Sequence, residues 1–294
     1  MQHVLFIVNP IAGRRRKGPL ERLIPRYLDP ERFAWSLVCT EYPGHAHELA
    51  RQTDADTVIA VGGDGTVNEI ASALAGTDKT LGILPCGSGD GLARHLRISR
   101  RFGQALQTVN GYRVRTIDHA LMNGRPFFCT CGVGLDAVVS EEFARAGTRG
   151  LPTYIAKTIR SWHRFVPETY ELEIDGTPIR TCAVLVTAGN ANQWGNGSFI
   201  TPLASLTDGL LDVTVLRPFS NLEIPDIAAR IFTRRIDRSA HVDYYRCKRL
   251  VIRREHDGAA HMDGDPCRPG QDIDIRIADD KLRIIVPDKP STRI

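Results

Sequence analysis

The chain has 294 residues, 42% hydrophobic and 24% charged, values that exclude a disordered or fibrous protein and give room for two domains with separate cores. Thirty-eight basic against 34 acidic residues leave a formal net charge of +4, which draws anionic partners only where it is clustered. No apolar run reaches the ~18 residues of a membrane-spanning helix, and seven cysteines in no regular framework fit a reducing cytoplasm rather than a disulfide-stapled secreted domain.

Residues 1–9 read as a short buried strand ending in a turn, without the charged, apolar and small-residue regions of a signal peptide. Strand and helix then alternate: strand 3–8, helix 20–27, strand 35–40, helix 45–52, strand 57–61, helix 67–74, strand 80–84 and a helix from Leu92. That rhythm predicts a parallel sheet covered on both faces, with ligands at the carboxyl ends of its strands. From about Thr116 the segments turn β-rich: 170–174 with Asp175-Gly176 as a hairpin turn, then 181–187, 210–216, 250–253 and 273–277. Helical patterns interrupt them at 152–165 and 221–236. The second half therefore reads as an antiparallel sandwich carrying a few helices. Cys129 and Cys131 share one side of a strand there and are read as core, since no second Cys or His pair completes a zinc set.

Three loops at successive strand ends carry the chemistry. The strongest is Val61-Gly62-Gly63-Asp64-Gly65-Thr66-Val67-Asn68-Glu69, a glycine-rich turn between a buried strand and an amphipathic helix. Glycine permits positive φ and lets N–H groups approach phosphate oxygens, and the helix N-terminus adds its dipole. Thr66 and Glu69 also have capping-box spacing. An acid such as Asp64 inside an anion-binding turn repels phosphate unless Mg²⁺ bridges the two, which assigns it to metal-nucleotide chemistry. A similar loop, Pro85-Cys86-Gly87-Ser88-Gly89-Asp90-Gly91, follows the next strand, and Asn9-Pro10-Ile11-Ala12-Gly13 ends the first. The chain has no G-x-x-x-x-G-K-[ST] run and no Rossmann fingerprint after its first strand, so a nucleotide is held in another way.

Asn9-Pro10 with Gly13, Gly62-Gly63-Asp64-Gly65-Thr66, and Pro85-x-Gly87-Ser88-Gly89 leading to Leu92-Ala93-Arg94 resemble the diacylglycerol kinase catalytic family. The likeness continues through Gly132-Val133-Gly134-Leu135-Asp136-Ala137, Asp208-Gly209-Leu210-Leu211-Asp212 and His261-Met262-Asp263-Gly264-Asp265. It implies a nucleotide-binding α/β domain over 1–118, of the NAD kinase and diacylglycerol kinase type, and a β-rich lipid-substrate domain over 119–294, with a return of the C-terminal segment to the first domain left open. It implies ATP contacts from Asn9, Thr40, Gly63, Asp64, Gly65, Thr66 and Ser88, to which the loops add Pro10, Gly13, Gly62, Asn68, Glu69, Gly87 and Gly89. A Mg²⁺ site would use the Asp208 side chain with the carbonyls of Ser205 and Leu210; on the residues alone, Asp208-Gly209 is equally a turn.

Relatives usually end the last motif Asp-Gly-Glu, the Glu acting as general base. Here Asp265 takes that place one methylene shorter, Asp263 would support it, and Asp64 would organise the catalytic magnesium. Asp90 stands where many relatives have Asn and adds negative charge beside the site; with Asp136 it is a substrate-binding candidate. The apolar spacing of Leu151, Tyr154, Ile155, Ile159, Trp162 and Phe165 suits either core or an acyl chain. Basic clusters at 14–17, 97–101, 230–238 and 248–254 are solvated faces or contacts to phosphates and anionic headgroups.

The reading is thus an ATP- and Mg²⁺-dependent kinase of a membrane-lipid hydroxyl, cytoplasmic and peripheral at the inner membrane surface, without a nucleic-acid partner and compatible with a homo-oligomer. An NAD kinase, whose family also carries Gly-Gly-Asp-Gly-Thr, is the enzymatic rival. A non-catalytic lipid-binding protein is the other, motivated by Asp265 and Asp90.

Overall fold

A computed structural model describes residues 1–13, 20–145 and 151–288, with the backbone alone over 151–156. In chain order the elements are β1 (Gln2–Val8), α1 (Leu20–Tyr27), β2 (Phe33–Cys39), α2 (His45–Gln52), β3 (Thr57–Gly62), α3 (Asp64–Leu74) and β4 (Thr80–Pro85). Then come α4 (Gly91–His95), α5 (Phe102–Gly111), β5 (Val114–Ile117), β6 (Ala120–Met122), β7 (Arg125–Phe127), β8 (Thr130–Gly134), α6 (Leu135–Ala144) and α7 (Leu151–Trp162). The rest is β9 (Glu168–Ile174), β10 (Thr177–Ala183), β11 (Leu185–Gly189), β12 (Leu211–Leu216), α8 (Ile224–Phe232) and β13 (Val242–Cys247), followed by β14 (Arg249–Arg254), β15 (Ala260–Met262), β16 (Asp265–Cys267), β17 (Asp272–Ile277) and β18 (Leu282–Ile285).

The chain divides into two compact units, Met1–Asp118 with Asp279–Ile294, and His119–Ala278. The first is built on one sheet in the order β2-β1-β3-β4-β18-β5. Its first five strands are parallel and β5 runs against β18. β3 and β4 are buried at every position, as continuous apolar strands covered on both faces must be.

The second unit holds two six-stranded sheets, β10-β9-β14-β17-β6-β7 and β13-β12-β11-β8-β15-β16, with antiparallel pairing throughout. Their facing residues form one core that includes Tyr170, Leu172, Ile252 and Ile273 from the first sheet and Cys131, Val133, Val186 and Val213 from the second. The opposite face of the second sheet carries a helical layer, where Leu135 and Val139 of α6 and Ile227 of α8 pack with Leu185, Leu216 and Val242. Asp175-Gly176 turns β9 into β10 with φ of 46° and 85°, the positive pair an Asp-Gly hairpin requires.

Among the described residues no helix is long and apolar enough to cross a membrane. The 14–17 basic cluster and the side chains of Leu151, Tyr154 and Ile155 lie outside the described residues.

Candidate functional site

β1, β3 and β4 are neighbours in the sheet, so the loops leaving their carboxyl ends stand side by side. Main-chain bonds run from one connection to the next: Thr40 N–H to Val8 O at 2.9 Å, Asn9 N–H to Val61 O at 3.0 Å, and Cys86 N–H to Gly62 O at 2.9 Å. Asn9 ties the first loop to α3, its Nδ2 donating to Thr66 Oγ1 at 3.1 Å while its Oδ1 accepts the Ile11 and Ala12 amides.

The glycines act chiefly through close approach. Gly62, Gly63, Gly65, Gly87 and Gly89 have no positive φ; only Gly13, at 61°, does. A Cβ on Gly87 would lie 2.6 Å from the Gly63 Cα, and one on Gly13 2.4 Å from the Cys86 carbonyl oxygen. The three loops therefore interlock backbone on backbone, which any side chain would prevent.

α3 begins at Asp64 with Gly63 as N-cap and no side-chain cap, three residues ahead of the 67–74 expectation. The Thr66–Glu69 capping box is consequently not formed. The Glu69 carboxylate instead accepts the Gly44 and Ala46 amides at 3.0 and 3.2 Å, capping α2. Asn68 is half-buried and accepts the Ser72 hydroxyl at 3.4 Å. These two candidates serve the helices that frame the loops. What faces outward are Gly65 in the first turn of α3, ahead of its first intrahelical bond at Val67, the exposed Ser88, and Pro10 on the first loop, with the buried Thr66 beside Gly65. Amides at a helix start beside a hydroxyl suit an anion.

Asp64 is a clamp: Oδ2 accepts the Asp90 N–H at 2.9 Å and Oδ1 the Gly91 N–H at 2.7 Å, binding the second glycine loop to the first. Asp90 is buried, in the left-handed region at φ 53°. Its Oδ1 accepts the Gly87 N–H and its Oδ2 the Arg100 Nε, both at 2.8 Å, and Arg100 Nη2 reaches the Gly87 carbonyl at 2.7 Å. Burial raises the Asp90 pKa while Arg100 pulls it down. The expected uncompensated charge is thus offset within the protein, and its carboxylate is turned inward rather than offered to a substrate.

In the second unit, Asp263 and Gly264 form the turn of the β15–β16 hairpin, with Met262 opposite Asp265 and φ of 48° and 87°. The Asp263 carboxylate accepts three amides, those of Phe128, Cys129 and Thr130, at 2.9, 2.7 and 3.1 Å. It fastens the hairpin to the start of β8. Asp265, two residues on, is exposed.

Asp136 opens α6 and is buried. Its Oδ2 accepts the Thr187 hydroxyl at 2.7 Å and lies 3.0 Å from His261 Nε2, while its Oδ1 takes the Ala137 amide. Thr187 and His261 flank Gly132 on the two strands beside β8, and a Cβ on Gly132 would stand 2.9 Å from Asp136 Oδ2. The carboxylate is spent on these neighbours rather than presented to a substrate headgroup. Sequence reasoning passed over Thr187 and the role of His261; the period-2 spacing that puts His261 and Asp263 on one face of a strand was the available signal.

The Asp208 side chain, expected to hold Mg²⁺ with the Ser205 and Leu210 carbonyls, is engaged by protein groups. Asp208 Oδ2 pairs with the Arg246 guanidinium, and its Oδ1 accepts the Leu210 amide at 3.1 Å. Ser205 Oγ lies 3.4 Å from the Thr207 hydroxyl. Arg246 Nε also stands 3.7 Å from Asp212, a fully buried acid whose pKa burial pushes up to about 6. The Arg246 guanidinium thus lies against both acids. Among the described residues no group of three or more His, Cys, Asp or Glu side chains gathers as a metal site.

The sequence and fold both have close counterparts. The model of the diacylglycerol kinase catalytic domain matches residues 3–122, and that of the YegS C-terminal NAD kinase beta sandwich-like domain matches 129–286. A diacylglycerol kinase of Bacillus subtilis is 27% identical over 273 residues, 90% of each chain. One of Mycobacterium tuberculosis is 30% identical over 262 residues, 82% of this chain and 80% of that one. In fold the chain matches a diacylglycerol kinase from Bacillus anthracis with a TM-score of 0.76 at 22% identity, covering 98% and 97% of the two chains. It also matches an NAD kinase from Archaeoglobus fulgidus in complex with ATP, at 0.55 and 12%, covering 98% and 95%. Interlocked loops on a parallel sheet, a sandwich with an Asp-Gly hairpin and matches spanning both units lead to one conclusion: the chain belongs to the diacylglycerol kinase family.

Proposed function

We propose that this protein transfers the γ-phosphate of ATP to a hydroxyl of a membrane lipid. The observation that carries the reading is the interlocking of three glycine loops at the carboxyl ends of β1, β3 and β4, in a chain of this family. Phosphoryl transfer asks the protein mainly for positioning and charge neutralisation. The amides of Gly65 and Thr66 with the Ser88 hydroxyl would take the phosphates, Asn9 holding Thr66 in place and Asp64 holding the second loop against the first. ATP would arrive as its magnesium complex, the ion carried by phosphate oxygens, because Asp208 is committed to Arg246 and both Asp64 oxygens to amides.

Asp265 would accept the proton of the attacking hydroxyl. The residue is exposed, and Asp263 supports it through the backbone by fixing the hairpin. Diacylglycerol, a sphingoid base or a related lipid each offers such a hydroxyl. The test is incubation with γ-labelled ATP, Mg²⁺ and detergent-dispersed lipids beside NAD. Label in a lipid, lost in Asp265→Asn, is the expected result; label in NAD alone, or in no acceptor, would overturn the proposal.

A further inference from the structure

We infer that the outer surface of the helical layer on the second sheet, centred on α8, docks on an anionic phospholipid bilayer. A bilayer is the expected partner because of the lipid-kinase reading, but the surface is argued from its own chemistry.

α8 is apolar on two sides. Its inner side seats Ile227 and Ile231 in the cluster with Leu216, Ile236 and Val242. Its outer side presents Pro225, Ala228, Ala229 and Phe232, all exposed, continuing from Leu222 in the 3₁₀ turn Asn221–Glu223 before it. A helix of a water-facing layer needs only the inner stripe. Leu222 is 92% exposed, and Asp226 and Arg230 neutralise each other at 2.6 Å.

Neighbouring segments extend the patch. Trp162 at the end of α7 packs on Phe219 with ring centroids 4.7 Å apart and donates to Asn221 Oδ1 at 2.8 Å, which fixes the end of α7 beside the 3₁₀ turn. Near Trp162 are Ile159 and Val166, 56% and 75% exposed. Phe199 N–H bonds the Ile231 carbonyl, bringing in the β11–β12 loop, which carries the exposed Leu203. Six of the nine exposed large apolar residues of the described chain therefore belong to this one layer, whereas isolated surface apolar residues would be scattered.

Charge selects the occupant. Residues 157–166 and 217–238 carry eight Lys and Arg against three Asp and Glu, an excess larger than the whole chain's +4. Arg217, Arg230 and Arg238 of this set face Asp243, Asp226 and Asp237, while Arg160, Arg164 and Arg235 are exposed. In the other described clusters four arginines are engaged internally. Arg100 is bound to Asp90, Arg249 and Arg253 pair across strands with Asp274 and Glu173, and the buried Arg254 donates to the Gly258, Ala259 and Gly270 carbonyls. Apolar side chains ringed by arginine are the composition of an interfacial element on anionic lipid.

The test is sedimentation of the full chain with phosphatidylcholine vesicles with and without about one-third phosphatidylglycerol, in the absence of ATP. Wild type is expected to bind the anionic vesicles, weakening as salt rises, and the charge-neutral pair Leu222→Ser with Phe232→Ser to bind about tenfold more weakly. Transfer to a detergent-dispersed acceptor should be unaltered in the pair, and matched circular dichroism melts show that it folds. Undiminished vesicle binding in the pair overturns the inference, as does wild type that ignores anionic vesicles. So does a shift from dimer to monomer in the pair, which would make the face a contact between two copies. Failure of phosphoryl transfer with intact, patch-dependent vesicle binding would count against the proposed function and leave the docking surface standing.

Discussion

Replacing Arg100 by methionine keeps the aliphatic length and removes the guanidinium that faces Asp90. Asp90 has 1% of its side chain exposed and Arg100 29%, so the stranded carboxylate is dry on one side and reached by water through the gap on the other. Breaking a buried pair from one side costs ~3–5 kcal/mol, and partial access places this variant near the lower end, about 3 kcal/mol. Asp90→Asn removes the charge, keeps an acceptor for the Gly87 amide and costs about 1 kcal/mol. The double variant leaves no buried charge and should cost ~1–2 kcal/mol, well under the sum, for a coupling of at least ~2 kcal/mol. Urea melts of the four proteins measure it. In a catalytic assay Arg100→Met should raise the KM for ATP more than it lowers kcat, with partial recovery in the double variant, because the pair sets the Gly87–Asp90 turn that presents Ser88. Strict additivity of the stabilities, with coupling under ~0.5 kcal/mol, would refute the claim that Asp90 depends on Arg100.

Asp265→Asn is expected to lower kcat by ~10²–10⁴ while Asp265→Glu retains activity, read by single-turnover transfer from ATP. Asp263→Ala should destabilise the protein by ~3 kcal/mol or more, since the Phe128, Cys129 and Thr130 amides lose one shared acceptor; a melt shifted by under ~1 kcal/mol would contradict the clamp. Asp212 has a folded pKa of about 6, above its value of 3.8 in a solvated chain. Its contribution is therefore complete below pH 3.8 and lost as pH rises through about 6. Asp212→Asn should remove a fall in stability of up to ~3 kcal/mol between those limits, checked by urea melts at acidic and neutral pH. Chelation by EDTA should leave the melting temperature unchanged, because the Asp208 carboxylate is held by Arg246 and the Leu210 amide; a fall on chelation would support the metal reading.

The alternation of buried strands and amphipathic helices made the parallel sheet legible, and Asp175-Gly176 marked the β9–β10 hairpin of the sandwich because only φ-tolerant residues suit that turn. The glycine loops were located correctly, yet their physical reason was closer packing of backbones rather than left-handed conformation. Side-chain destinations were less legible. Glu69 had the spacing to cap its own helix and capped another, a choice decided by the packing of α2 on α3. Arg100 looked like one of a basic run, and nothing local paired it with an acid ten residues earlier. Asp263 and Asp265 stand two apart with different surroundings, because the hairpin turn places the first carboxylate over three amides and leaves the second residue exposed.

The position of β18 has a consequence for synthesis. It lies between β4 and β5, so the sheet that carries the glycine loops lacks an interior strand until residues 282–285 have emerged from the ribosome. Unit 2, His119–Ala278, is contiguous and is complete first. At 5–20 residues per second, roughly 10–30 s separate β5 from β18, and during that interval β4 presents a bare apolar edge. A nascent chain stalled after β17 should hold a folded sandwich and an open, aggregation-prone first sheet, so the order of translation sets the order in which the two units can close.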